Sequence, residues 1–314
     1  MAPRIVCVVG PTACGKTKMG VLLAQKLDGE VVSADSMQIY RGLTIGTAAP
    51  TEEEMEGVPH HMVAVADVTE PWSAGRYVQA AIPVVDDILR RGKVPVVVGG
   101  TGLWVDALVR GHGFAPGAAG GAVRQELQER LAREGIEPLL EELRTVDPDA
   151  AARLHPRDEK RILRALEVYR ETGVTITAHN AAEAALPNRY DPVWIGLAFA
   201  DRADMRELID RRVDAMVEAG LLDEVDWLLS QNLPPSATAL QAIGYKEFAA
   251  VRTGGATVAQ AVEEVKLRSR QYAKRQLTWL RRNKDIHWIL WEKERDFARA
   301  LQISTKILSD AGVC

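Results

Sequence analysis

The stretch Gly10-Pro11-Thr12-Ala13-Cys14-Gly15-Lys16-Thr17 follows the apolar run Ile5–Val9 and opens a helical pattern over Lys16–Leu27. A strand, a glycine-containing loop and a helix in this order are typical of a phosphate-binding loop. The glycines let backbone N–H groups and the helix N-terminus face an anion, Lys16 adds a positive charge, and the Thr17 hydroxyl can bind Mg²⁺. We therefore predict that Gly10–Thr17, hereafter the phosphate loop, binds phosphate groups.

The surrounding sequence alternates short apolar runs with helical patterns, which predicts an α/β fold with a mostly parallel sheet. The predicted strands are Ile5–Val9, Glu30–Ala34, Val94–Val98, Val193–Ala198 and His287–Trp291, and the first predicted helices are Lys16–Leu27, Gly75–Arg91 and Leu103–Val109. Residues 111–121 are rich in glycine and indicate a boundary, and residues 123–172 are purely helical. We expect a discontinuous P-loop core, residues 1–111 and 191–314, with a helical insertion domain at 112–190 and a helical C-terminal region.

Composition excludes several classes of protein. The length of 314 residues suits about two domains, and no apolar run approaches the roughly 18 residues of a membrane helix. The sequence shows no signal peptide, because Arg4 is followed directly by a strand. Cys7, Cys14 and Cys314 are too scattered for a disulfide framework or a zinc site, and His60-His61 resembles a structural pair. We expect a cytoplasmic monomer with reduced thiols and no membrane partner.

The net charge of −4 conceals two basic segments. Eight basic residues and no acidic one lie between Lys266 and Lys284, and Tyr272 and Trp279 are interleaved with them. Within the insertion, a second group recurs at the i, i+3, i+4, i+7 spacing of one helix face: Arg157, Lys160, Arg161 and Arg164. Such segments can follow a nucleic-acid backbone. Both groups are explained equally well as solvated or ion-paired helix faces that bind no nucleic acid.

The chemistry of the phosphate loop depends on nearby acids. P-loop kinases and hydrolases need a carboxylate at a second strand end, but Val94–Val98 ends in Gly99-Gly100-Thr101-Gly102. Asp35, after the strand Glu30–Ala34, is the strand-end acid near the loop. On the residues alone it is a metal ligand, a general base or the cap of a turn.

Several motifs, in order and over about 270 residues, resemble the bacterial tRNA dimethylallyltransferases, also called tRNA isopentenyltransferases. They are the phosphate loop, Asp35 to Arg41, Ile45 to Pro50, Val58 to His61, Val98 to Leu103, Asp147-Pro148, Arg161 to Val168, Gln241 to Glu247 and Tyr272 to Trp279. The resemblance implies transfer of the dimethylallyl group from dimethylallyl diphosphate to N6 of the adenosine 3′ of the anticodon in tRNA. It also implies Mg²⁺ as the cofactor, the anticodon stem-loop as the partner and a diphosphate leaving group in the phosphate loop.

The resemblance also implies roles for individual residues. The expected catalytic residues are Asp35 as the base, Lys16, and Thr17, which is also the Mg²⁺ ligand. The expected tRNA contacts are Asp35, Ser36, Met37, Gln38, Thr101, Arg124, Glu159, Lys160, Arg161, Ile162 and Leu163, to which the basic segment adds Lys274 and Arg275. One departure concerns Leu208, where family members commonly carry an arginine that helps to hold the diphosphate. Arg206, Arg211 and Arg212 are the candidates to replace it.

Three rival functions remain from the sequence. The phosphate loop alone favours an ATP-binding nucleotide or small-molecule kinase. A prenyltransferase of free adenine nucleotides would share the loop but would have no need of the insertion or of the basic segments. A non-enzymatic RNA-binding module would have no use for the complete phosphate loop.

Overall fold

The computed structural model describes residues 2–111 and 121–313. Cys314 and residues 112–120 of the expected boundary lie outside this range. The chain divides into two compact units, one formed by Met1–Gly111 with Arg189–Cys314 and the other by His112–Asn188. We call them the core unit and the helical unit.

The core unit contains all the strands of the sheet. These are β1 Arg4–Val9, β2 Gly29–Ser33, β3 His60–His61, β4 Val94–Gly99, β5 Asp191–Phe199 and β6 His287–Trp291. Its helices are α1 Lys16–Leu27, α2 Glu52–Met55, α3 Ala74–Arg90, α4 Gly102–Arg110, α10 Arg202–Glu218, α11 Leu221–Ser230, α12 Tyr245–Arg252, α13 Val258–Leu280 and α14 Phe297–Asp310, with a 3₁₀ turn at Ala239–Gln241.

The six strands form one parallel sheet in the order β3-β2-β4-β1-β5-β6. The predicted α/β class is therefore confirmed. Side chains alternate across β1, so that Ile5, Cys7 and Val9 pack into one apolar cluster and Val6 and Val8 into another. The sheet thus has a core on each face, as the continuous apolar runs of buried parallel strands require. The carboxyl ends of β1, β2 and β4 lie side by side at one edge.

The helical unit consists of α5 Ala122–Glu134, α6 Glu137–Val146, α7 Pro148–Arg153, α8 Glu159–Thr172 and α9 Ile176–Ala184. Its core includes Leu127, Leu143, Ile162 and Leu166, all fully buried. Arg157 lies before α8, so the prediction that it shares a helix face with Lys160 and Arg161 is wrong. A turn in which the Arg157 N–H donates to Nδ1 of His155 ends just before the helix.

No helix within residues 2–111 and 121–313 is both long and apolar enough to cross a membrane. The longest, α13, has 23 residues and carries most of the basic segment.

Candidate active site

The phosphate loop connects the buried end of β1 to α1 in the core unit. Gly15 has φ 87°, a left-handed conformation that favours glycine, and it immediately precedes the helix. An ideal Cβ on Gly10 would lie 2.3 Å from the Leu197 carbonyl oxygen of β5, so glycine is required there too. Among the described residues, no side chain caps α1. The first N–H groups of α1 are therefore free to bind an anion.

A cavity of about 870 Å³ opens beside the loop at the carboxyl edge of the sheet. Lys16, Thr17, Asp35, Met37 and Gln38 all line it. The structure therefore brings the expected phosphate ligands and the strand-end acid into one space. Ligands of open α/β sheets bind at this position.

Lys16 and Arg212 donate hydrogen bonds to the phosphate loop. Lys16 Nζ donates to the Pro11 carbonyl oxygen at 2.6 Å, and Arg212 Nη1 on α10 donates to Thr12 Oγ1 at 3.3 Å. Burial lowers the pKa of the Arg212 guanidinium, and the charge of Asp35 opposes this shift. Both groups are positioned to meet negative charge in the cavity.

Arg212 is also the best placed of the proposed replacements for the arginine expected at position 208. Leu208 lines the cavity as an apolar residue, together with Arg211 and Arg212. Arg211 is exposed and lies 3.5 Å from Glu207, while Arg206 is exposed and does not line the cavity.

Asp35 is half-buried directly after β2. Its Oδ1 accepts from the Met37 N–H at 3.0 Å, which makes it the cap of a turn. This turn holds the side chain at the cavity wall. Capping and chemistry, which the sequence left as alternatives, are therefore compatible.

The neighbouring polar residues form a connected wall. The Ser36 N–H donates to Thr101 Oγ1 at 3.2 Å, and Ser33 Oγ donates to Gln38 Oε1 at 3.1 Å. Gln38 Nε2 donates to the carbonyl oxygen of Ala48 at 3.0 Å. These bonds fix the orientation of the Gln38 amide, so the wall presents defined donors and acceptors to a ligand.

Two residues of α13 to which the sequence gave no role, Tyr272 and Gln276, also line this cavity. Gln276 on α13 is buried; its Oε1 accepts from the Thr12 N–H at 2.9 Å and its Nε2 donates to the Gly100 carbonyl oxygen at 3.0 Å. Burial and the charge of Asp35 raise the pKa of nearby Tyr272 to about 12. Gln276 thereby joins the phosphate loop to the end of β4. Both residues belong to a motif noted in the sequence, but the hydrogen-bond partners of Gln276 are 264 and 176 residues away.

A third unassigned residue, Glu224 on α11, holds the loop of residues 44–48. Its Oε2 accepts from the N–H groups of Thr44 and Ile45, both at 2.8 Å, and its Oε1 accepts from Gly46 N–H at 2.9 Å and from the Tyr245 hydroxyl at 2.5 Å. Burial alone would raise the pKa of Glu224, but these hydrogen bonds outweigh it and hold the pKa below its ordinary value. The loop in turn supplies the acceptors for Gln38.

The basic segment on α13 divides into two parts. Lys266 pairs with Asp214 at 2.7 Å, Arg268 with Glu264 at 2.7 Å and Arg270 with Asp210 at 2.6 Å. Toward the C-terminal end, Lys274 and Arg275 are exposed. Together with Gln271, Thr278, Trp279 and Arg282 they line a surface depression of about 440 Å³. The solvated, ion-paired interpretation therefore holds for the N-terminal part, while the C-terminal part offers exposed cations.

The remaining expected tRNA contacts belong to the helical unit. Glu159, Lys160 and Arg161 are exposed at the start of α8, whereas the side chains of Ile162 and Leu163 are buried in the core of this unit. Arg124 Nη1 lies 3.6 Å from Glu167 Oε2, which constrains the guanidinium. Of these expected contacts, the side chains of Glu159, Lys160 and Arg161 are exposed and those of Ile162 and Leu163 are not.

The histidine pair His60-His61 is hydrogen-bonded within the protein, and Cys7 and Cys14 are buried. His60 Nδ1 lies 2.8 Å from the Val58 carbonyl oxygen, and His61 Nε2 lies 2.8 Å from Glu30 Oε2. Cys7 and Cys14 are buried free thiols, and burial raises the pKa of each. In Cys14 the nearby Lys16 opposes this shift without cancelling it. A reactive thiolate in the phosphate loop is thus disfavoured.

A parallel sheet with a phosphate loop after β1 and a polar cavity at its carboxyl edge defines the core unit as a P-loop-type α/β protein. Residues 38–283 match the family model described as IPP transferase. The chain belongs to this family, as its motifs predicted.

The chain is 44% identical over 300 residues, 96% of each sequence, to tRNA dimethylallyltransferase 1 of Pelobacter propionicus. It is 46% identical to the tRNA dimethylallyltransferase of Symbiobacterium thermophilum, with 91% of this chain and 88% of the relative covered.

Among solved structures, the full-length tRNA isopentenylpyrophosphate transferase of Bacillus halodurans matches with a TM-score of 0.73 at 38% identity, covering 100% of this chain and 99% of the other. A eukaryotic dimethylallyltransferase acting on tRNA matches with a TM-score of 0.84 at 30% identity, covering 98% and 80%. The similarity thus extends over both the sequence and the fold.

Proposed function

We propose that this protein transfers the dimethylallyl group of dimethylallyl diphosphate to N6 of the adenosine 3′ of the anticodon in tRNA and releases diphosphate. The observation that carries the proposal is the single cavity that contains both the phosphate-loop residues Lys16 and Thr17 and the acid Asp35. The names of the relatives, which are tRNA dimethylallyltransferases, support the donor and the RNA class.

The proposed reaction breaks the bond between the allylic carbon and the diphosphate oxygen and forms a carbon–nitrogen bond to N6. Negative charge grows on the departing diphosphate, where the N–H groups of the phosphate loop, Lys16 and Arg212 stabilise it. Asp35 accepts the proton that N6 loses. Its position at the cavity wall and its bond to the Met37 N–H support this role, because a general base must be held in reach of its proton.

The apolar part of the cavity suits the five-carbon tail. Val213, Met216, Leu221, Ile243 and Val265 line it together with the polar residues. Burial of the tail contributes about 3–4 kcal/mol, at roughly 0.8 kcal/mol per carbon group. The same cavity therefore accommodates the charged and the apolar ends of the donor.

The residues also fit Mg²⁺. Thr17 lines the cavity beside the loop, and among the described residues no group of three or more His, Cys, Asp or Glu forms a dedicated metal cage. Mg²⁺ commonly uses one or two protein ligands, waters and substrate phosphate oxygens. Thr17 would hold the ion, and the bound ion would neutralise part of the diphosphate charge.

The acceptor nucleotide must leave the stack of the anticodon loop to reach this cavity, at a cost of a few kcal/mol. Contacts to the rest of the RNA offset that cost. The exposed cations Lys274 and Arg275 on α13, and Lys160 and Arg161 on the helical unit, support such contacts. Ser36, Gln38 and Thr101 are the polar groups that we assign to the acceptor nucleotide.

Mass spectrometry of tRNA after incubation with the protein, dimethylallyl diphosphate and Mg²⁺ tests the proposal. We expect one dimethylallyl group on an anticodon-loop adenosine, found by digestion to oligonucleotides. Unmodified tRNA together with prenylated AMP or ADP would favour a prenyltransferase of free nucleotides. Unmodified tRNA together with phosphorylation of a small acceptor by ATP would favour a kinase. Either result would overturn the proposal.

A further inference from the structure

The connection between β6 and α14 covers the phosphate loop from the C-terminal end of the chain. Arg295 and Phe297 line the same cavity as Lys16. An ideal Cβ on Gly15 would lie 2.8 Å from Phe297 Cζ and 3.4 Å from Arg295 Cδ. This connection therefore lies directly against the glycine that precedes α1.

The charge of Arg295 is available to a ligand. Lys16 and Arg212 already donate hydrogen bonds to the phosphate loop. Arg295 is exposed, and across residues 2–111 and 121–313 the structure gives its guanidinium no ion-pair partner. Its carbon Cζ lies 5.9 Å from the centre of the Phe297 ring, a contact that orients the guanidinium without using its donors.

The electrostatics of the cavity agree with this arrangement. Burial is the main cause of the lowered pKa of Arg212, and the positive charge of Arg295 adds to this lowering, so the two guanidiniums repel each other. Leu208, on the same cavity, supplies no charge of its own. A diphosphate in the phosphate loop would remove the repulsion and accept hydrogen bonds from a planar guanidinium.

We propose that Arg295 binds the diphosphate of the donor as a second guanidinium beside Arg212. The inference rests on the proposed function, because it takes the diphosphate of the donor as the ligand of the phosphate loop. It adds a diphosphate-binding residue from a part of the chain in which the sequence showed no motif. Its role is to hold the diphosphate, so it acts mainly on the affinity for the donor.

The test measures the binding of inorganic pyrophosphate with Mg²⁺ by calorimetry, and KM and kcat with dimethylallyl diphosphate and tRNA. We expect Arg295→Ala to weaken pyrophosphate binding about tenfold, which is about 1.4 kcal/mol, and to raise KM for the donor by a similar factor, because the variant loses charge-assisted hydrogen bonds to the diphosphate. KM for tRNA should not change. Arg299→Ala is the matched control, because Arg299 is exposed on α14 and does not line the cavity.

A second variant distinguishes the loss of a diphosphate contact from a general defect in folding. Leu208→Arg in the Arg295→Ala background should restore at least half of the lost pyrophosphate affinity, since it returns a guanidinium to the same cavity. Unchanged pyrophosphate affinity in Arg295→Ala, or an equal loss in Arg299→Ala, would overturn the inference. A protein that fails to prenylate tRNA but loses pyrophosphate affinity in Arg295→Ala would refute the proposed function and leave the phosphate site standing.

Discussion

We propose that Asp35 serves a turn and a reaction at once. One carboxylate oxygen accepts from the Met37 N–H at 3.0 Å, and the residue lines the cavity that contains Lys16 and Thr17. The turn sets the direction of the carboxylate, and in the proposed reaction the second oxygen accepts the proton of N6. Substitutions that keep the turn can therefore separate the two roles.

We expect Asp35→Asn to lower kcat by 10²–10⁴-fold, the usual contribution of a general base. The asparagine oxygen can still cap the turn, so the affinity for tRNA and the midpoint of thermal unfolding should remain close to wild type. Single-turnover assays with filter binding of tRNA measure both quantities. Asp35→Ala, which loses the cap as well, should be equally inactive and less stable. Normal turnover in Asp35→Asn would remove Asp35 from the role of base.

The residues that the sequence identified are those whose signal is local. Lys16 and Thr17 were found because strand, loop and helix are contiguous in the chain, and Asp35 because it ends a strand. Gln276 and Glu224 were not assigned, because their hydrogen-bond partners lie 264 and about 180 residues away. Arg295 follows a short strand near the C-terminus and has no local pattern at all.

At the scale of elements, Glu224 makes α11 the support of the loop of residues 44–48. One carboxylate accepts from three consecutive backbone N–H groups and from the Tyr245 hydroxyl on α12. An ideal Cβ on Gly46 would lie 2.7 Å from Tyr245 Cζ, so the loop fits only with glycine there. The loop carries the acceptors that orient Gln38, which links a buried carboxylate to the wall of the active site.

We expect Glu224→Gln to lower the free energy of unfolding by about 3 kcal/mol, because its amide NH₂ faces buried donors that are left unpaired. The pKa of Glu224 is below the ordinary value of 4.5 in the folded protein. The stabilisation by the ionised Glu224 carboxylate is therefore complete above about pH 4.5, and it is lost as the pH falls through the pKa of Glu224 in the folded protein. Urea unfolding of both proteins from about pH 7 down to about pH 3 measures it. Asp223→Asn, exposed on the same helix, is the control, and an equal loss there would contradict the assignment.

Elements with a clear hydrophobic pattern were predicted well, and elements of two to four residues were not. The helix Lys16–Leu27 and the strand His287–Trp291 have the predicted bounds, whereas β3 has only two residues and α2 only four. Elements this short have no periodicity to read. β3 exists because His60 and His61 pair with Val31 and Val32 of β2. The helix α8 begins after Asp158 because the turn at His155 fixes the chain there, which spacing alone cannot reveal.

At the scale of the whole molecule, an acidic protein must bind an acidic polymer. The net charge of −4 is unevenly distributed. The first three cations of the basic segment are neutralised by acids of α10 and α13, while Lys274, Arg275, Arg281 and Arg282 are exposed on and just beyond the C-terminal half of α13. We therefore expect the binding of RNA to depend on local basic surfaces such as this one rather than on the net charge of the protein.

This distribution predicts which cations contact phosphates of the RNA. Lys274→Ala should reduce the slope of log Kd for tRNA against log salt by about 0.7, the value for one phosphate contact on a single strand. Arg268→Ala removes the same charge from the ion-paired end of α13 and should leave the slope unchanged, because Glu264 already neutralises that arginine. Fluorescence anisotropy of a labelled anticodon stem-loop, recorded at salt concentrations from about 50 to about 300 mM, measures both slopes. Equal slopes for the two variants would show that general charge attracts the RNA, whereas a change confined to Lys274→Ala assigns the contact to the exposed end of the helix.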